Sequence, residues 1–511
     1  MLIGTAMTTT AATAPVTASV MMATTSAAAT ARAAPAPPTS VGSALAGGTP
    51  TTAMMASIND LPEVVLEYIL MKLSPYTDLY ACSQVNRLWN TVARRAMVKI
   101  RRDLEHAVQD QQLKWFTRPP QPGMCASIIQ KRHSHSCVIL GQRMYVFGGC
   151  TSNTSTTYND LWSFDLGRRV WVKPLSIGTY PPPKACASLI THRGRLVLFG
   201  GWAHTSPYYP LYNSWRIFDH IHIYDPAKNS WREVNRMATS GCCPATAGHS
   251  ASLFRDDQML LFGGLQALDD GRGPPYNMSN DVWLLDLESM FWSKQKILGV
   301  RPKPRYGHSQ IALDDNHIFI IGGCSGPDDM LYDMWLLEAS PESSSPESLE
   351  WTWHPVEVVN QKDGAPRLSF HPACRVGDRV VILGRSRYGA KVVPQAPVRL
   401  HALTSPLRPS AGALPGPSRL SRGVPAGAGA PAGLAGAGAA AFAASTHAAG
   451  WKSTMCVYAL DISELVRNKR VRWVERAEAA GHIQQPPEHL VLYTLVKGQG
   501  IYLCFIYDAS E

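Results

Sequence analysis

Apolar positions change their period once along the chain. Between Asn59 and Val92 they recur at helical spacing: Leu61, Val65, Ile69 and Leu73 follow at four-residue steps, and Leu66 and Leu70 widen the stripe. Leu79, Cys82, Val85, Trp89 and Val92 line one face of a second run. Asp60 with Glu63 three residues on predicts a capping box, Pro62 falls in the first helical turn, and Ser74-Pro75 predicts the break between the runs. Two or three short helices cannot enclose a core of their own, so the module over 57–118 needs a neighbour or a partner.

After Arg118 the pattern turns to strands that repeat. Met144-Tyr-Val-Phe-Gly-Gly149, Leu196-Val-Leu-Phe-Gly-Gly201, Met259-Leu-Leu-Phe-Gly-Gly264 and His317-Ile-Phe-Ile-Ile-Gly-Gly323 each end an apolar strand in paired glycines. A fifth, Val380-Val-Ile-Leu-Gly384, carries Arg385 in place of the second glycine. The first glycines are 52, 63, 59 and 62 residues apart, the length of one four-stranded propeller blade with its loops. Trp162, Trp283 and Trp335 mark third strands, with His222 as the variant, and Trp171, Trp231 and Trp292 follow nine residues after Trp162, His222 and Trp283. In the fourth unit Trp351 and Trp353 come later, after a Ser/Pro/Glu insertion at 340–350, and in the fifth Trp473 comes fifteen residues after Tyr458. Residues 490–505 read as the first two strands of a sixth unit that lacks its double glycine and its remaining strands. The expectation is therefore a propeller of about five full blades and a partial sixth, occupying 119–393 and 451–511, with an open edge and a chain end cut short.

Composition changes this picture at two places. Residues 1–56 are Ala, Thr, Met and Pro with almost no charge, and 394–450 are Ala/Gly/Pro-rich with four arginines and no acidic residue. Both are expected to be disordered, the second as an insertion into the fifth unit. The net charge of +10 over 511 residues is otherwise spread thinly, which argues against a nucleic-acid footprint. Eleven cysteines, none in Cys-x-x-Cys spacing and with no export signal or apolar span before them, predict free thiols in the cytoplasm or nucleus and no membrane segment.

The candidate chemistry is sparse. His135, Cys186, His249, His308 and His371 stand 13 or 14 residues before the first glycine of their units. A position that recurs in every blade points to a shared structural role, such as a hydrogen bond between blades, rather than to a metal set, whose rings must converge. No Walker loop, HExxH or nucleophile elbow is present, so neither catalysis nor a cofactor is expected.

Leu61-Pro62-Glu63, Leu66, Ile69-Leu70, Leu73, Asp78-Leu79, Ser83, Val85, Arg87 and Trp89 resemble the F-box pattern, and the glycine pairs with their spaced aromatics resemble Kelch repeats. The resemblance implies an all-α F-box module followed by an all-β Kelch propeller, a non-catalytic adaptor. Its F-box would dock on the Skp-type subunit of a cullin-RING ubiquitin ligase, and its propeller would hold the protein to be ubiquitinated. The adaptor-binding candidates are Leu61, Pro62, Val65, Leu66, Ile69, Leu70, Leu73 and Leu79. The candidates for the substrate lie on the loops after the double glycines and between blades: Trp202, Tyr208, Tyr209, Trp215, Arg305, Arg367, Arg385 and Arg387. Those arginines predict an acidic or phosphorylated motif in the client. The alternative from another class is a Kelch scaffold for cytoskeletal or signalling proteins that recruits no ligase. Copurification with a cullin separates the two.

Overall fold

The computed structural model describes residues 57–110, 129–387 and 453–474, less 74, 76–77, 131, 152–155, 169, 205–214, 235–242, 268–275, 327–328, 343–344 and 361–367. Residues 18–24, 114–117, 495–498 and 502–508 are described as backbone. A small helical module is followed by antiparallel sheets arranged around one axis.

The helical run divides into α1 (Glu63–Leu70), α2 (Asp78–Ser83) and α3 (Arg87–Gln109). The run expected from Leu79 to Val92 is thus two helices. Asn86 breaks it by capping α3, accepting from the Trp89 amide at 2.9 Å. The capping box also falls earlier than expected: Ser57 and Asp60 cap a single 3-10 turn, and α1 starts after Pro62 with no side-chain cap. Leu66, Leu70, Leu79, Val92, Ala93 and Ala96 form a small core, and Arg95 ties α3 to Glu63 of α1.

Each blade is a four-stranded meander. The first comprises Ser136–Leu140, Arg143–Phe147, Leu161–Asp165 and Val170–Val172; the second Ser188–His192, Arg195–Phe199, Ile221–Asp225 and Ser230–Glu233. The third comprises Ser250–Phe254, Gln258–Phe262, Val282–Asp286 and Trp292–Lys294. The fourth has Ser309–Ala312, His317–Cys324, Met330–Glu342 and Ser345–Val358, and the fifth Ala373–Val376, Arg379–Arg387, Ser453–Asp461 and Arg470–Trp473. The Ser/Pro/Glu insertion lengthens the hairpin of the fourth blade, with Ser340 opposite Glu350, which is why Trp351 and Trp353 come late. The Ala/Gly/Pro insertion lies outside the described residues.

The sixth blade differs from its expectation. Leu495–Gly498 and Tyr502–Asp508 supply two strands, Ala18–Thr24 pairs with the second of them, and Lys114–Thr117 pairs with Ala18–Thr24 on its far side. The strand at 18–24 falls inside the tail expected to be disordered, and the edge expected to stay open is paired. The innermost strands of all six sheets lie side by side in a closed circle, Leu495–Gly498 touching both Ala373–Val376 and Ser136–Leu140.

The core lies in the seams between blades. Phe147, Phe199 and Phe262, each just before a double glycine, meet Trp231, Trp292 and Trp353 on the outer strand of the next blade at ring separations of 5.5, 4.8 and 4.8 Å. The spaced tryptophans are therefore seam partners of the strand that ends in glycines. Backbone hooks add to this: Ile177 and Gly178 run parallel to the outer strand of the second blade, and Glu357 and Val358 to that of the fifth. The helix α3 closes one end of the ring, with Met97 and Ile100 against the first blade's core and Glu105 against Gly377 of the fifth blade.

Candidate functional site

The helical module presents two different apolar faces. Leu66, Leu70 and Leu79 of the expected docking set are buried in its own core at 1% exposure. They hold the helices together and are not available to a partner, so those three expectations are corrected. Pro62 and Val65 are exposed, and Leu61, Ile69 and Leu73 are half-buried. Val64, Tyr68, Tyr80 and Val85 are at least 59% exposed, and Val85, expected on the apolar face of the second run, is thus turned to the surface.

At the other end of the ring the double glycines act as joints. The amide of the second glycine donates to a carbonyl of the next blade: Gly149 to Lys184 at 3.0 Å, Gly201 to Thr246 at 2.9 Å, Gly264 to Arg305 at 2.8 Å and Gly323 to Leu368 at 2.6 Å. The first glycine lets that same carbonyl approach. In the fifth unit, where Arg385 replaces the second glycine, the strand runs on to Arg387 opposite Ser453.

Beside these joints lies a feature that the sequence reading missed. Ser134, Cys186, Gly248, Gly307 and Phe370, one per blade, all have left-handed backbone. Their amides and carbonyls bond in succession around the axis: Cys186 N donates to Ser134 O at 2.8 Å, Gly248 N to Cys186 O at 3.1 Å, Gly307 N to Gly248 O at 2.9 Å and Phe370 N to Gly307 O at 2.7 Å. This collar surrounds the mouth of a cavity of about 160 Å3 on the axis. The only signal for it in the sequence is the residue that precedes each recurring histidine. The collar also corrects the register of the second unit, where Ala187 rather than Cys186 stands at the histidine position, packed on Gly201 as His135 is on Gly149.

The histidines turn into the seams. His249 bonds Ser188 of the preceding blade at 3.0 Å and His308 bonds Ser250 at 2.6 Å, the inter-blade role expected for them. Burial lowers His135, His249 and His371 to about 3 and puts His308 well below its ordinary value, so all four are neutral at physiological pH.

The expected client contacts fare unevenly. Arg305 is fully buried, and its guanidinium forms a fork on Asp333 at 2.9 and 2.8 Å while donating to Gly322 O and Lys303 O. It is a clamp between loops and cannot face a client; its charge in an inter-blade segment had suggested solvent. Arg132 makes the same clamp on Asp160. Burial pushes both carboxyls up, but the guanidinium hydrogen bonds and charge outweigh it and leave Asp160 and Asp333 below the usual range. Trp202 is also buried, packed with Cys150 and Ala185, and so offers little surface to a client. Tyr208, Tyr209 and Arg367 lie outside the described residues. Trp215, Arg385 and Arg387 sit on described strands, but their side chains are outside the description.

A consequence follows for mutagenesis. Asp333→Ala strands a fully buried guanidinium and is expected to destabilise the protein by about 3 kcal/mol, read in urea melts. An unchanged transition midpoint would show that water or another group takes the place of the carboxylate.

Among the described residues no helix is long and apolar enough to cross a membrane. A family model described as the FBX42 β-propeller domain matches residues 132–346, and one described as F-box-like matches 58–100. The chain is 26% identical over 269 residues to an F-box/kelch-repeat protein of Arabidopsis thaliana, covering 48% of this chain and 52% of that one. It is 24% identical over 266 residues to a host cell factor homolog of Caenorhabditis elegans, covering 50% and 31%, and 28% identical over 269 residues to a putative adagio-like protein of Oryza sativa subsp. japonica, covering 49% and 38%. The chain thus spans roughly a third to a half of the length of these relatives. The helical module is thus similar to F-box-like domains, and the first four blades to the FBX42 β-propeller domain.

Proposed function

We propose that this chain is a substrate-recognition subunit of an SCF-type ubiquitin ligase, without an active site of its own and working in the cytoplasm or nucleus. Its F-box would recruit the Skp-type adaptor and, through it, the cullin-RING core, and its propeller would hold a protein client. The observation that carries this reading is the exposure of Val64, Val65, Tyr68, Tyr80 and Val85 on a module whose own core is already filled by Leu66, Leu70 and Leu79. Among the described residues these side chains belong to no core cluster, and they suit a partner's apolar groove, each anchor contributing roughly 1.5–3 kcal/mol before ordering costs.

The variant Val64→Asp with Tyr68→Asp puts charge on the face without touching the core. It is expected to weaken capture of the Skp-type adaptor at least tenfold, measured by titration of purified components, with the melting temperature unchanged. Full binding by this variant would defeat the ligase reading and favour the scaffold alternative. Leu66→Asp is unsuitable for this purpose, because it would unfold the module whichever reading holds.

A further inference from the structure

The long hairpin of the fourth blade has no part in the adaptor reading. Its third and fourth strands run for 13 and 14 residues, against three to five in the first three blades. The inner neighbour, His317–Cys324, pairs with the third strand only as far as Glu338, and the Ala339 amide then donates to Asn316 O at 2.9 Å. On the outer side the parallel hook Ile297–Leu298 reaches only Trp351 and Thr352. Among the described residues, 340–342 and 345–350 therefore pair with nothing but each other.

An isolated two-stranded ribbon is marginally stable at best in water. This one is weakened further, because Pro341 brings no amide to the ladder and the register shifts immediately after it. A segment with so few ties opens locally at little cost. Its sequence is Ser340-Pro-Glu-Ser-Ser-Ser-Pro-Glu-Ser-Leu-Glu350. Ser340 is half-buried and Pro341 exposed, and the proline holds the serine before it in an extended conformation.

From the free ribbon, its defect at Pro341 and the serine before it, we infer that Ser340 is a phosphorylation site for a proline-directed protein kinase, and that the phosphate opens the ribbon. In the transfer the Ser340 hydroxyl oxygen bonds the γ-phosphorus of ATP. The bond from that phosphorus to the bridging oxygen breaks to release ADP, and the hydroxyl proton passes to the kinase's catalytic aspartate. Directly across the ladder from Ser340 stands Glu350. A phosphoserine brings about −1.5 to −2 charges at pH 7, and like charges directly opposite one another destabilise a sheet. Two residues back on the same face, Glu338 already engages Lys469 at 3.0 Å and His354 at 3.1 Å, so these cations are committed to another carboxylate.

The inference depends on neither a ligase nor a client, and the test uses the purified full chain alone. Ser345-Pro346 repeats the motif at the tip, so the chain carries Ser345→Ala throughout. Thr49, Ser74, Ser206 and Ser405 also precede prolines but lie outside the described residues. After incubation with an active mitogen-activated protein kinase and Mg-ATP, peptide mass spectrometry is expected to place phosphate on Ser340 in most chains. Hydrogen exchange of the 340–350 segment should then quicken about threefold, with the rest of the blade unchanged. In Glu350→Lys the phosphate faces a cation, and the quickening should vanish although Ser340 is phosphorylated as before. Absence of phosphate from Ser340, unchanged exchange after its phosphorylation, or equal quickening in Glu350→Lys would each overturn the inference.

Discussion

Lowering the pH from 7 to 5.5 is expected to remove about 5 kcal/mol of folding stability, a large share of what a typical domain possesses. His135, His249 and His371 have their folded values lowered to about 3 by burial, and burial also puts His308 well below its ordinary value. Their unfolded counterparts take up protons near the ordinary value of 6.5. Groups with depressed folded values contribute their stability fully above the unfolded value and lose it as the pH falls toward the folded one. Each histidine therefore gives up about 1 kcal/mol over this interval. The clamp carboxylates Asp160 and Asp333 titrate below 3.8 in the folded protein, so their loss falls in a lower window and does not mask the effect. His222, buried and likewise lowered to about 3, adds to the loss; urea melts across the range measure it, and His371→Leu should flatten the slope. A stability profile level between pH 7 and 5.5 would mean that these rings become solvated before global unfolding.

The second large effect is expected at the glycine joints. A methyl added at Gly263 would stand 2.6 Å from the Arg305 carbonyl oxygen and 2.9 Å from the His308 ring, and the backbone there has φ of +66°. Overpacking of this kind costs about 1–3 kcal/mol, and the left-handed backbone adds about 1–2 kcal/mol. Gly263→Ala is thus expected to lose about 4 kcal/mol, read as a lowered urea midpoint. Gly141 provides the control, with φ of +59° and nothing within 4 Å of the added methyl. Gly141→Ala should lose only about 1 kcal/mol, the backbone share alone. Equal losses at the two sites would mean that conformation, and not the seam, explains the glycine pair.

The glycine and tryptophan spacing was legible because each blade repeats the same seam, so five noisy copies reinforce one pattern. Arg305 was misread because sequence shows a charge in an inter-blade segment but not its partner, which lies 28 residues on at Asp333. The same separation recurs between Arg132 and Asp160, and that repeat is the signal that would have revealed the clamp. The collar was hidden for a different reason. Left-handed backbone at Ser134, Cys186 and Phe370 leaves no mark in residue type, since only Gly248 and Gly307 carry the residue that favours it. Of the helical stripe over 61–73 only Leu66 and Leu70 are buried while Val65 is exposed, and burial within the module and burial against a partner give the same periodicity. The two were separated only when Leu66 and Leu70 were seen packed on Val92, Ala93 and Ala96. The pairing of 18–24 with 502–508 was beyond reach, because the Ala/Thr/Met composition there carries no alternation to betray a strand.

The collar also bears on how the molecule breathes. Loop amides near a binding mouth ordinarily exchange their hydrogens through small local openings. Here the amides of Cys186, Gly248, Gly307 and Phe370 are each held by the neighbouring blade, so releasing one requires two blades to part. Their exchange would then follow the slowest, sub-global openings of the ring rather than loop fraying. The mouth would be the slow-exchanging hub of the propeller, its rim fixed by the packing of whole blades.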